Sequence, residues 1–121
     1  MSKRILVVDD HEDTRRILND FLTTAGYEII EAASGEEGIA AAQAHRPDLI
    51  LMDIRLPGVD GYEATRRIKA DPALSEIPII AMTSYAEARD EANAFAAGCD
   101  AYIPKPLGLK ALLARIVAFL P

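Results

Sequence analysis

Leu49-Ile50-Leu51-Met52 is a run of four apolar residues held between Pro47 and Pro57-Gly58, and that confinement constrains the chain more than any other feature. Four residues are too few for a helix, and with no polar residue alternating among them they predict a strand buried on both faces. Asp53 follows directly. In an open α/β sheet the carboxyl ends of the strands form the ligand-binding edge, so a carboxylate there is placed for chemistry; the plainer alternative is that it ends the strand or caps a turn. Ile5-Leu6-Val7-Val8 repeats the pattern and ends in Asp9-Asp10. Two adjacent carboxylates beside a low-dielectric core repel each other, and the usual remedies are a helix N-terminus, a Lys or Arg, or a metal ion. Asp13 can cap the helix that follows, which leaves Asp9 and Asp10 for a ligand; capping by the pair itself is the alternative.

Elsewhere the hydrophobic period alternates between helix and strand. Thr14, Ile17, Leu18, Phe21, Leu22 and Ala25 recur at helical spacing up to Gly26, with Arg15, Arg16, Asn19 and Asp20 on the opposite face. Residues 27–32 alternate as a strand, and Ser34-Gly35-Glu36-Glu37 opens a second helix that Pro47 closes off. Residues 61–70 predict a third helix with Tyr62, Thr65 and Ile68 inward, ended by Asp71-Pro72. Residues 77–82 predict a fourth strand ending at Thr83-Ser84, and residues 86–97 an Ala-rich fourth helix stopped by Gly98. Residues 101–104 predict a short fifth strand ending at Lys105-Pro106, and Leu109, Leu112, Leu113, Ile116, Val117 and Leu120 mark a fifth helix. Five strand–helix units with right-handed crossovers give an α/β fold. It is a three-layer doubly wound sandwich on a five-stranded parallel sheet, with every strand's carboxyl end at one edge. The length of 121 residues predicts a single domain over 1–121, and no effector domain is expected.

Charge and composition exclude several function classes. The formal net charge is -6 with Lys and Arg dispersed, which argues against a nucleic-acid groove. No apolar run approaches the roughly 20 residues of a membrane span, and Met-Ser-Lys-Arg runs into the first strand without a signal-peptide pattern, so a cytoplasmic protein is expected. Cys99 is the single cysteine and reads as a small buried hydrophobe. His11 and His45 lack a metal-ligand spacing.

Asp9-Asp10, Asp53, Thr83-Ser84 and Lys105 therefore stand at the carboxyl ends of four different strands. Three carboxylates, a hydroxyl and an ammonium at one sheet edge suit a small hard cation together with a phosphoryl group. A carboxylate cluster with no His or Cys suits Mg²⁺ better than zinc. From Lys3 to Leu120 the chain resembles a two-component response-regulator receiver domain. The likeness is carried in order and spacing by Asp9-Asp10, Met52-Asp53, Leu56-Pro57-Gly58, Asp60-Gly61, Met82-Thr83-Ser84, Gly98 and Tyr102-Ile103-Pro104-Lys105-Pro106.

The resemblance implies a flavodoxin-like (βα)5 fold with strand order 2-1-3-4-5. It implies that Asp53 accepts phosphate from a histidine kinase or histidine phosphotransfer protein. Asp10, Asp53 and the Arg55 backbone carbonyl would bind Mg²⁺, or Mn²⁺, directly, and Asp9 through water. Thr83 and Lys105 would hold the phosphoryl oxygens. Thr83 and Tyr102 would form the switch, with Tyr102 swinging from exposed to buried, and the Lys105-Pro106 bond would be cis at Pro106. Arg55 and Tyr85 would tune the site, either shielding the phosphoryl group from water or pointing away into solvent.

A downstream protein target would read the fourth helix, fifth strand and fifth helix, where Glu87, Asp90, Glu91, Lys110 and Arg115 offer a mixed-charge face; the first helix, through His11, Arg15 and Asn19, is the alternative. A monomer or weak homodimer is expected. The chain is similar to the single-domain regulators of chemotaxis and cell-cycle control, with Gly98-Cys99-Asp100-Ala101-Tyr102 leaning towards the cell-cycle type.

On this reading the chain is no enzyme beyond autocatalytic phosphoryl transfer to itself and autodephosphorylation. An aspartyl-phosphate phosphatase of the haloacid dehalogenase kind would need an Asp two residues after the nucleophile, where this chain has Arg55. A receiver-like binding module that works unphosphorylated is the other alternative, and it usually loses part of the acidic pair, the Thr or the Lys, all of which are present here.

Overall fold

A computed structural model of the chain describes residues 2–83, 87, 89–104 and 108–121. Its elements are β1 (Arg4–Val8), α1 (Glu12–Thr24), β2 (Glu28–Ala32), α2 (Gly35–His45), β3 (Leu49–Asp53), α3 (Gly61–Ala70), β4 (Ile79–Thr83), α4 (Asp90–Ala97), β5 (Ala101–Pro104) and α5 (Leu109–Phe119). All strand pairs are parallel, and the sheet order is β2-β1-β3-β4-β5. The expected doubly wound architecture is the observed one.

The short apolar runs are strands because each is buried twice over. Alternate residues of β1, β3 and β4 enter opposite cores: Leu6, Val8, Ile50, Met52, Ile79 and Ala81 pack with Ala42, Ala64, Ile68 and Ala94 from α2, α3 and α4. Ile5, Val7, Leu49, Leu51, Ile80 and Met82 pack with Leu18, Leu22, Leu112 and Ile116 from α1 and α5. Each fully buried Leu, Ile or Met contributes about 1.5–3 kcal/mol. The three central strands are thus gripped from both sides, and the residues at their carboxyl ends inherit that rigidity. Among the described residues no helix is long and apolar enough to cross a membrane.

Helix ends follow local chemistry, in part differently from expectation. Ser34 caps α2 by accepting the Glu37 amide at 3.1 Å, and Asp60 caps α3 by accepting that of Glu63 at 2.9 Å. Gly98 closes α4 at φ 112°, and the Cys99 amide donates back to Ala94 at 3.0 Å. Asp13 does not cap α1. The N-cap is His11, without a side-chain cap, and Asp13 lies in the first turn, where a negative charge still favours the helix dipole.

The fourth strand begins at Ile79 rather than at residue 77, because Pro78 has no N–H for the ladder and the Ile77 amide is spent on Leu74 at 3.1 Å. The fourth helix begins at Asp90, later than the expected residue 86; Ala86 itself lies outside the described residues.

Candidate functional site

Asp9 and Asp10 follow β1 directly, Asp53 is the last residue of β3 and Thr83 the last of β4. Parallel register puts Val8 beside Met52 and Asp53 beside Met82, so these polar residues share one edge of the sheet. Asp9 and Thr83 are fully buried and Asp53 is 3 % exposed, whereas Asp10 is open to solvent. Asp9, Asp10, His11 and Asp53 each offer one ligand atom, and the four atoms lie within 4.8 Å of one another.

Hydrogen bonds hold this cluster in place. Asp9 Oδ1 accepts the His11 amide at 2.8 Å and faces the His11 ring nitrogen Nδ1 at 3.1 Å; the same Nδ1 lies 3.1 Å from Asp10 Oδ1. The Asp9 carbonyl accepts Arg15 Nη1 at 2.7 Å, and Arg15 Nε donates to Glu31 at 3.1 Å. Asn19 Nδ2 donates to the other Glu31 oxygen at 2.8 Å, so the polar face of α1 is tied to β2. Asp53 Oδ1 accepts the Arg55 amide at 2.9 Å, and the Ile54 amide donates to Met82 at 3.0 Å. These bonds fix the turn after β3 against β4.

The structure brings the expected Asp9, Asp10 and Asp53 together and adds His11, which sequence reasoning set aside because its ligand spacing to His45 is wrong. Its direct adjacency to Asp9-Asp10 at a strand end was the available signal. Ser84, Tyr85, Lys105 and Pro106 lie outside the described residues. Arg55 points neither freely into water nor alone over Asp53. Its Nη2 pairs with Asp90 Oδ2 at 2.6 Å and lies 3.6 Å from Glu87.

Two expectations for the output face change. Asp90 is 2 % exposed and so adds nothing to a mixed-charge surface, while Glu87, Glu91, Lys110 and Arg115 are exposed as expected. The swing of Tyr102 was expected to start from an exposed ring. Here its phenol oxygen is already buried, with no hydrogen-bond partner among the described residues, and burial pushes the hydroxyl pKa up.

Tyr62 also reaches Asp90, donating its hydroxyl to Oδ1 at 2.9 Å. Burial, then that hydrogen bond and the carboxylate's charge, push the Tyr62 phenol up to about 12. A folded-state value above the unfolded value of about 10 means that this contribution to stability is complete below that pH and lost as pH rises through the folded value. In an alkaline titration followed at 295 nm, the step near pH 12 should vanish in Tyr62→Phe and persist in Tyr27→Phe. A late step that survives Tyr62→Phe would belong to another of the four tyrosines.

Comparison with known proteins supplies the context. The response regulator receiver domain family matches residues 5–117. The polar-differentiation response regulator DivK of Brucella ovis is 41% identical over 120 residues, covering 99% of this chain and 98% of that protein. Among solved structures, the receiver domain of the sensor histidine kinase PA1611 from Pseudomonas aeruginosa is 34% identical with a TM-score of 0.91, covering 99% of this chain and 98% of that one; it carries a magnesium ion in its active-site cleft. The chemotaxis protein CheY4 of Vibrio cholerae is 28% identical with a TM-score of 0.92, covering 98% of this chain and 99% of that chain.

Proposed function

We propose, from the premise that this chain belongs to the response regulator receiver domain family, that it is a phosphoacceptor of a phosphorelay which takes its phosphoryl group on Asp53. The observation that carries the reading is the placement of Asp53: a carboxylate 3 % exposed at the end of the central strand, grouped with Asp9 and Asp10 within 4.8 Å. No solvation competes strongly for such a carboxylate, and rigid neighbours hold it in line for attack.

The donor is a phosphohistidine on a histidine kinase or phosphotransfer protein. An Asp53 carboxylate oxygen attacks phosphorus, the O–P bond forms as the P–N bond breaks, and the imidazole leaves with the electron pair and takes up a proton. The carboxylates of Asp9, Asp10 and Asp53 with the Arg55 carbonyl fit a small hard cation. Mg²⁺ bound there would neutralise charge that builds on the phosphoryl oxygens. Thr83, at the end of the neighbouring strand, supplies a hydroxyl for one phosphoryl oxygen, and Lys105 an ammonium for another. Output goes to a protein target through α4, β5 and α5, and the protein works in the cytoplasm without an enzymatic activity on other molecules.

Incubation with acetyl phosphate and Mg²⁺, followed by borohydride reduction and peptide mapping, tests the reading. The acyl phosphate should be trapped at Asp53 and absent from Asp53→Asn. An adduct on Asp10 or a hydroxyl residue, or none at all, would overturn it.

A further inference from the structure

Arg55 spans two parts of the molecule. Its amide donates to Asp53 Oδ1 at 2.9 Å, and its guanidinium donates to Asp90 at the start of α4 at 2.6 Å. Asp90 is 2 % exposed and accepts two further donors. The Glu87 amide reaches Oδ2 at 2.7 Å, the same oxygen that Arg55 uses, and the Tyr62 hydroxyl reaches Oδ1 at 2.9 Å. Burial by itself raises the Asp90 carboxyl, but the Glu87 amide, the Tyr62 hydroxyl and the Arg55 guanidinium together outweigh it and hold it below the usual carboxylate range. The carboxylate is therefore charged at neutral pH, and its bond to Arg55 is charge-assisted. Tyr102 belongs to the same neighbourhood: after burial, the charge of Asp90 is the next influence on its hydroxyl.

We propose that Asp90 is a positioning residue for Arg55, and that transfer of the Arg55 guanidinium from Asp90 to the phosphoryl group carries phosphorylation of Asp53 to the first turn of α4. The proposal rests on the phosphoacceptor reading above and names a second route to the output face, separate from Thr83 and Tyr102. A phosphoryl group brings close to two negative charges to a point two residues from Arg55. Guanidinium binds phosphoryl oxygens in a bidentate fork and is the cation best suited to make that exchange.

Departure of Arg55 strips the countercharge from a carboxylate that is 2 % exposed, and an uncompensated buried charge is strongly unfavourable. Asp90 then turns towards water. Its oxygen also holds the Glu87 amide, and its backbone begins α4, so the first helical turn moves with it. The phosphoryl group thereby supplies the differential contact that a population shift requires. By reciprocity, a protein whose Asp90 cannot hold Arg55 leaves the guanidinium available to the phosphoryl group in advance.

The test compares wild type, Arg55→Gln, Arg55→Lys and Asp90→Asn by amide NMR with and without acetyl phosphate and Mg²⁺, while mass spectrometry follows the adduct on Asp53. Compared at equal occupancy of the Asp53 adduct, Arg55→Gln should lose the phosphorylation-dependent shifts of Asp90, Glu91 and Asn93, and Arg55→Lys should restore part of them. Asp90→Asn retains an oxygen for the Glu87 amide and should fold. Before phosphorylation its α4 amides should lie displaced towards the phosphorylated wild-type positions, and its adduct should decay more slowly than the wild type's. Wild-type shifts in phosphorylated Arg55→Gln, or unmoved α4 amides in Asp90→Asn, would overturn the proposal and leave the phosphoacceptor reading standing. Absence of an Asp53 adduct from the wild type would instead remove the reading on which it rests.

Discussion

Gly61→Ala should lower stability by about 3 kcal/mol, at the upper end of what overpacking costs, and the melting temperature by about 10 °C for a domain of this size. The Gly61 amide donates to the Ile54 carbonyl at 3.3 Å, so the first turn of α3 lies against the end of β3. A Cβ at that position would stand 2.3 Å from the Asp53 carbonyl oxygen and 2.5 Å from Ile54 Cα. Both are backbone atoms, one of the last residue of β3 and one of the buried residue that follows it, and no rotamer change relieves the clash. Either α3 lifts off or the Asp53 carbonyl moves, and the second outcome displaces the proposed phosphoacceptor itself. Gly108→Ala is the control, since among the described residues its Cβ would meet only Ala111 Cβ at an ordinary 3.7 Å. A Gly61→Ala protein that melts with the wild type would show that the approach of α3 to β3 is not what limits this position.

Mg²⁺ should raise the melting temperature of the wild type, and Asp10→Ala should abolish the rise. Asp9, Asp10 and Asp53 place ligand oxygens within 4.8 Å of one another. At an effective dielectric constant near 20, two such charges about 4 Å apart repel by roughly 4 kcal/mol before screening. His11 Nδ1, at 3.1 Å from both Asp9 and Asp10, offsets this only when the ring carries a proton.

A ligand bound by the folded state alone stabilises it by about 2.7 kcal/mol at a hundred times its dissociation constant, equivalent to about 10 °C here. Asp10→Ala removes one of the three charges and so part of the repulsion, and without metal it should melt above the wild type. Melting followed by circular dichroism, with NaCl at matched ionic strength as the control, measures both effects. Equal curves with and without saturating Mg²⁺ in the wild type would mean that the three carboxylates do not bind it under these conditions.

The fold and the acidic core of the site were legible in the residues because both depend on short-range pattern. Runs of four apolar residues, too short for a helix and bounded by polar or Pro/Gly residues, read as doubly buried strands. A carboxylate just after such a run can only stand at the strand's carboxyl end, which is how Asp9, Asp10 and Asp53 came to one edge. Ser34 was legible as a helix start for the same reason, since a cap acts over three residues.

Tertiary structure decided what depends on contacts distant along the chain. Asp90 reads as an exposed acidic residue on the outer face of the fourth helix, yet it is buried. Its partners Arg55 and Tyr62 are 35 and 28 residues away in sequence, and only the parallel stacking of β3, β4 and their helices brings them together. The inward ring of Tyr102 and the backbone contact at Gly61 were hidden likewise. Periodicity records which face of an element is buried; it does not record which neighbour lies across the gap, and that neighbour determines whether a charge is solvated, paired or placed to respond to a ligand.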